Sequence, residues 1–245
     1  MTTRRRVIPE YHGMIPPDHL FFDIETLPTD DPDDIAEITA RIKIPGSMKK
    51  AETIAEWEKN DKPNLITEAV GKSGLDATYG RICCISWAFG DQPTQVDIGV
   101  EAEVIWKFFL AVNEYSTLTL VHRVKEAVID TVPLTVIGHN IYSFDLRFVW
   151  QRAVVNDLTR PVRLPWKAKQ WDDRIQDTLL QWNPDTSRRI SLGRLCRVLG
   201  VQHMADDFDG SQVASAWAAG RKAKIAAYCQ ADVEAARLCW FRMKG

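Results

Sequence analysis

The chain has 245 residues, 45% of them hydrophobic and 26% charged, and a formal net charge of -2. That is enough apolar material for one sizeable core, and the absence of a positive surplus argues against a protein that holds nucleic acid by overall charge alone. No apolar run approaches the ~18 residues of a membrane span, Arg4–Arg6 lead into no apolar stretch of the signal-peptide kind, and five cysteines without metal-ligand spacing point to a reduced, intracellular chain.

In chain order, residues 1–18 read as a frayed tail, and Leu20–Thr26 as a short β-prone segment broken by two acids, a central strand. The composition then changes: eight acidic residues and no Lys or Arg lie between Asp18 and Glu37. A helical pattern follows over Asp33–Ile42 with Asp34 in its acidic first turn, Pro45-Gly46 breaks it, and Ala51–Lys59 predicts a second helix with Trp57 on its apolar side. Gly71–Gly80 reads as loop, so that residues 27–80 form an acidic and helical insertion between the first two strands, either a lid or substrate rim or a plain surface excursion. Arg81–Phe89 is a buried strand, turned by Gly90-Asp91-Gln92-Pro93 into a hairpin partner at Thr94–Ile98. Glu101–Tyr115 repeats apolar residues every 3.6 positions and buries Val104, Ile105, Phe108 and Phe109. Leu134–Gly138 is a further buried strand and Phe144–Val154 the helix after it. The remainder reads as mainly helical: Ser191–Leu199 with Ser191 as N-cap and Gly200 just past its end, Ser211–Ala219, and a terminal helix over Lys222–Met243. The pattern predicts a single α/β domain over 1–245, a mixed central sheet covered by helices.

Three short motifs carry chemistry. In FFDIET, Asp23 and Glu25 alternate with Phe22 and Ile24, so a strand places both carboxylates on one face. Two anions ~4–6 Å apart raise each other's pKa unless a cation neutralises them, and hard oxygen donors of this kind suit Mg²⁺ or Mn²⁺. In IGHNIYSFD, His139 and Asn140 follow a strand and Asp145 opens a helix, at the carboxyl end of the sheet where α/β sites form. Asp145 there is either a site residue or a charge favouring its helix, and His139 and Phe144 read as structural. In YCQAD, Tyr228 and Asp232 stand four residues apart on a helix and so share a face, with Ile225, Ala235 and Leu238 continuing along that side.

This ordered set resembles the DEDD superfamily of 3′-5′ exonucleases, which share an RNase H-like fold. Asp23 and Glu25 match its first motif, Asp145 the second and Asp232 the third, and Tyr228 places the chain in the tyrosine branch (DEDDy), since position 227 is Ala rather than the His of the other branch. LDATYGRICCISWA, SLGRLCRVLG and DGSQVASAWAAGRKAKIAAYCQADV further resemble stand-alone exonucleases akin to the proofreading domain of family-B DNA polymerases, with Leu27–Asp61 as the main departure and no polymerase domain. The resemblance implies two divalent ions, Mg²⁺ or Mn²⁺. It makes Asp23 the bridging ligand, gives Glu25 and Asp232 to the ion that activates water and Asp145 to the second ion, and leaves Tyr228 to orient the water. It implies a DNA 3′ terminus, single-stranded, as substrate and a 5′-mononucleotide as product, with Thr26, Leu27, Asn140 and Phe144 near the terminal nucleotide. An exoribonuclease and an inactive nucleic-acid-binding module are the rivals; DNA is favoured because the chain lacks a helical RNA-binding extension. Asp177-Thr178 resembles a structural pair of the superfamily. Arg188, Arg189, Arg194, Arg197, Arg221, Lys222 and Lys224 are either phosphate contacts or solvated helix faces. Trp87, Trp150 and Trp240 read as core, Trp166 and Trp171 as candidates for base stacking.

Overall fold

The computed structural model describes residues 15–123, 133–184, 189–203 and 208–244. Most of the expected frayed tail, and Arg188 among the expected phosphate contacts, lie outside these residues. In chain order the elements are β1 (His19–Leu27), α1 (Pro32–Arg41), α2 (Ala51–Asn60), α3 (Lys62–Lys72), β2 (Arg81–Phe89), β3 (Gln95–Ile98) and α4 (Glu101–Arg123). They are followed by β4 (Thr135–Gly138), α5 (Asp145–Val155), β5 (Ile175–Asp177), α6 (Thr178–Trp182), α7 (Leu192–Leu199), α8 (Val213–Ala218) and α9 (Lys222–Lys244). The chain forms two compact units, one of residues 1–25 and 82–245, the other Thr26–Arg81.

The first unit is built on a mixed sheet in the order β3-β2-β1-β4-β5. Strand β4 runs parallel to both β1 and β5, and β2 with β3 forms the antiparallel hairpin. Each face of β1 meets a different helix because its side chains alternate. Phe22 packs 5.2 Å from Phe108 of α4, whereas Phe21, on the face shared with Asp23 and Glu25, meets Trp240 of α9 at 5.6 Å. Phe21, Ala88, Ile137, Val233 and Trp240 form one buried cluster on that side, which Ile15 also joins. Docking α9 there brings its polar Tyr228 and Asp232 to the acidic end of β1.

Two sequence readings need correction. The segment after α5 is not wholly helical: Ile175–Asp177 adds an edge strand pairing Gly138 with Asp177. Three residues are too few to display an alternation, so the strand left no period in the sequence. Trp150 is 41% exposed, with the Arg160 guanidinium 5.8 Å above its ring, whereas Trp87 and Trp240 are buried. Trp166 packs edge-on against Phe109 and donates its indole N–H to Pro161 O, which leaves Trp171, 82% exposed, as the free ring of that pair.

Position 138 must be glycine for steric reasons. A Cβ there would lie 2.8 Å from Ile141 Cδ1 and 3.0 Å from Phe22 O, so parallel β1 and β4 approach closely only without one. Gly138→Ala is expected to cost ~1–3 kcal/mol in urea unfolding. Glu101, at the start of α4, ties three elements together. It accepts from Ile82 N (2.7 Å) at the head of β2, from Arg152 Nε and Nη2 (2.9 and 2.8 Å) and from Asn156 Nδ2 (2.9 Å). Glu101→Ala breaks a largely desolvated ion pair and is expected to cost ~3–5 kcal/mol by the same measurement.

The second unit, Thr26–Arg81, holds α1, α2 and α3. Its acidic run has local uses: Asp31 caps α1 by accepting from Asp33 N, Asp34 accepts from Thr29 Oγ1 (2.8 Å), and Asp30 pairs with Arg81. Helix α3 occupies part of the stretch left without a helix by the sequence reading; its Pro63 stands in the first turn, where a missing N–H costs nothing. Trp57 is buried within this unit.

Candidate active site

Strand β1 supplies Asp23 and Glu25 on one face. Glu25 is 7% exposed, and Asp23 retains partial access to solvent. Asp145 opens α5 and reaches back to β1, where its Oδ1 accepts from Ile24 N at 3.1 Å. This bond crosses 121 residues of sequence and fixes the second-motif carboxylate beside the first; Asp145 is therefore more than a charge at its own helix end. Helix α9 supplies Tyr228 and Asp232 one turn apart. All five residues lie in the first unit.

The electrostatics follow from crowding four carboxylates in one place. Burial, then the charges of Asp145, Asp232 and Glu25, push the Asp23 carboxyl well above the ordinary carboxylate range. Burial and the neighbouring Asp232, Cys84 and Asp145 do the same to Glu25. Burial raises Asp145 to about 7, against the opposing hydrogen bonds from its own amide and that of Ile24. Burial and the surrounding anions push Tyr228 far above its usual value, so its phenol keeps its proton. Among the described residues no Lys or Arg forms an ion pair with any of the four acids.

Two residues join this cluster that the motif reading passed over. Cys229 Sγ lies 3.5 Å from Asp23 O and 3.6 Å from Asp23 Oδ2, and donor atoms of Asp23, Glu25 and Cys229 all fall within 4.8 Å of one another. The cysteine spacing in sequence gave no hint of this, because the other two donors lie more than 200 residues away. Burial and the neighbouring Cys84, Asp23 and Glu25 keep the Cys229 thiol protonated, so it serves as a donor to Asp23. His203 Nε2 lies 2.6 Å from Asp232 Oδ1, and this partner raises the imidazole pKa. Phe208 packs edge-on against the Tyr228 ring at 5.1 Å, under Lys224 Nζ at 4.9 Å.

The loop between β4 and α5 is held from β5. Asp177 accepts from Asn140 N (2.9 Å), Tyr142 N (3.2 Å) and Leu179 N (2.9 Å), a set of backbone bonds that pins the loop and caps α6. Asn140 adopts φ 63°, a left-handed conformation that Asn tolerates better than most residues. His139 is neutral and structural, with Nδ1 at 3.0 Å from Thr178 Oγ1, Nε2 at 2.8 Å from Ile190 O, and its pKa lowered by burial. Phe144 is half-buried against Phe148 at 5.3 Å. Thr26 and Leu27 belong to the second unit, where the Thr26 hydroxyl donates to Gly74 O at 2.6 Å and Leu27 is buried.

The donor chemistry fits a hard divalent cation. A buried group of carboxylates with no basic partner but one imidazole is costly without positive charge, and its oxygens are the donors such ions prefer.

A family model described as a predicted 3′-5′ exonuclease related to the exonuclease domain of PolB matches residues 75–245. The chain belongs to this family. Asp145, Tyr228 and Asp232 fall within the matched exonuclease segment, whereas Asp23 and Glu25 precede it and meet it through the β1–β4 pairing. No curated protein and no solved structure matches the chain. No helix among the described residues is long and apolar enough to cross a membrane.

Proposed function

We propose that the protein is a metal-dependent 3′-5′ exonuclease of the tyrosine branch, on an RNase H-like fold, that hydrolyses phosphodiester bonds at single-stranded DNA 3′ ends to release 5′-mononucleotides. The observation that carries the reading is the convergence of Asp23, Glu25, Asp145 and Asp232 with Tyr228 at the end of β1 in a member of an exonuclease family. The buried cysteine thiols agree with a reducing compartment.

The four carboxylates would hold two ions of the Mg²⁺ or Mn²⁺ type, which when bound neutralise the acids, acidify a water and stabilise the leaving oxygen. Ile24 N–H holds Asp145 in place, and the Cys229 thiol steadies Asp23 through its carbonyl and its Oδ2. Tyr228 keeps its proton, so it acts as a donor that orients the attacking water and not as the base. The Asp177 bonds hold the backbone of Asn140 and Tyr142, presenting this loop to the terminal nucleotide.

The test is cleavage of an equimolar mixture of DNA and RNA strands of one sequence, each labelled at its 5′ end, with the released nucleotides identified. Faster shortening of DNA, with 5′-phosphate products, is the expected result. Preferential shortening of RNA would make the protein an exoribonuclease, and binding without cleavage would make it a binding module.

A further inference from the structure

A cavity of about 330 Å³ opens between α7 and His203, and among the described residues its polar lining is Ser191, Arg194, Arg197 and His203, with Gly193, Cys196 and Val201 beside them. On a chain whose net charge is -2, a cavity with this lining needs an explanation. Arg194 and Arg197 stand three residues apart on α7 and therefore share a face, and both are exposed. Neither guanidinium forms an ion pair among the described residues. Two guanidiniums lining one cavity suit a phosphate, whose oxygens accept from their planar forks.

His203 links this cavity to the acidic cluster. Its Nε2 is 2.6 Å from Asp232 Oδ1, and its other ring nitrogen faces α7, where a Cβ on Gly193 would lie 3.6 Å from Nδ1. The imidazole is thus a wall shared by the cavity and the carboxylates, and the bare Gly193 keeps the opening beside it clear. We infer that this cavity is a subsite for a backbone phosphodiester of the nucleic-acid strand, one that lies upstream of the bond being cut. The inference rests on the exonuclease reading above. It gives that reading a local source of attraction for an anionic strand, two guanidiniums one ring away from the carboxylates on a chain without a positive surplus.

The test compares wild type with the double variant Arg194→Ala/Arg197→Ala and with Gly193→Leu, which fills the cavity at a helical position where leucine is the better helix former. Two substrates are used: an oligonucleotide, and a dinucleoside monophosphate whose single phosphodiester is the one cut. Each lost charge-assisted contact is expected to raise KM for the oligonucleotide about tenfold, with kcat near wild type. Gly193→Leu should do the same sterically, and cleavage of the dinucleoside monophosphate should match wild type in all three proteins. Thermal melts identify any variant that has lost its fold. An unchanged KM for the oligonucleotide in both folded variants, or an equal loss on the two substrates, overturns the subsite while the nuclease reading stands. If wild type cuts neither substrate, the nuclease reading fails and the strand assignment falls with it.

Discussion

Asp23→Asn is expected to lower metal-dependent cleavage roughly a thousandfold, and in the same protein to raise the melting temperature measured in EDTA. Both effects follow from one environment. Asp23 stands against Asp145, Asp232 and Glu25 in a buried setting, and its carboxyl is held well above its ordinary range. In the proposed reading Asp23 would be a ligand to the catalytic ions, a role that contributes several kcal/mol to the transition state, and each 1.36 kcal/mol is tenfold in rate. Without the ions the same charge is a liability, since the hydrogen bond it receives from Cys229 comes from a weak thiol donor. An amide of equal shape keeps that bond and removes the repulsion, so the apo variant should gain ~1–2 kcal/mol, or ~2–8 °C for a chain of this size. Paired kinetic and thermal measurements check the prediction, and loss of both activity and stability would argue that Asp23 is a structural acid.

The second large effect is an inverted pH dependence of stability. Asp145 titrates at about 7 when folded, against ~3.9 for a carboxyl in the unfolded chain, and Asp23 and Glu25 are raised in the same direction. Between those values the folded state holds protons that the unfolded state releases. The contribution is therefore fully present below the unfolded pKa and is lost as pH rises towards 7. In EDTA, unfolding free energy should fall by a few kcal/mol from pH 4 to pH 7.5, the reverse of the trend expected from acids paired with cations. Asp172, held at about 2 by Arg174, is of that ordinary kind, but it is exposed and its weight is small. Adding Mn²⁺ at pH 7.5 should restore the lost stability, because a cation takes over the role of the protons. Urea titrations across pH, with and without the metal, measure both parts. Stability rising with pH in EDTA would contradict this picture of the cluster.

The elements that were legible in the sequence are those whose signal is local. Ser191 accepts from Arg194 N at the start of α7, and Gly200 takes φ 67° at its end, as the capping pattern predicts. The strict alternation of β1 placed Asp23 and Glu25 together, and the spacing of four put Tyr228 and Asp232 on one face of α9. What was hidden depends on the tertiary fold. His203 meets Asp232 across 29 residues, and Cys229 meets Asp23 across 206, with no motif spacing to announce either contact. Helix α3, in a stretch the sequence reading left without a helix, carries Pro63 in its first turn, and Trp150 looked like core because its neighbours on α5 are. The two-unit division is likewise a property of contacts, although the compositional change after Pro28 marks where it begins.

The central claim is that these four carboxylates bind the cations that cut a 3′ end. Its most direct test is a 5′-labelled single strand incubated with wild type and with Asp23→Asn in Mg²⁺, Mn²⁺ or EDTA, Mn²⁺ binding being counted by electron paramagnetic resonance on the same samples. A ladder shortening from the 3′ end is expected with wild type and metal only, with loss of both bound Mn²⁺ and cleavage in the variant. A ladder that persists in EDTA, or an Asp23→Asn protein that binds Mn²⁺ and cuts as wild type does, would contradict it.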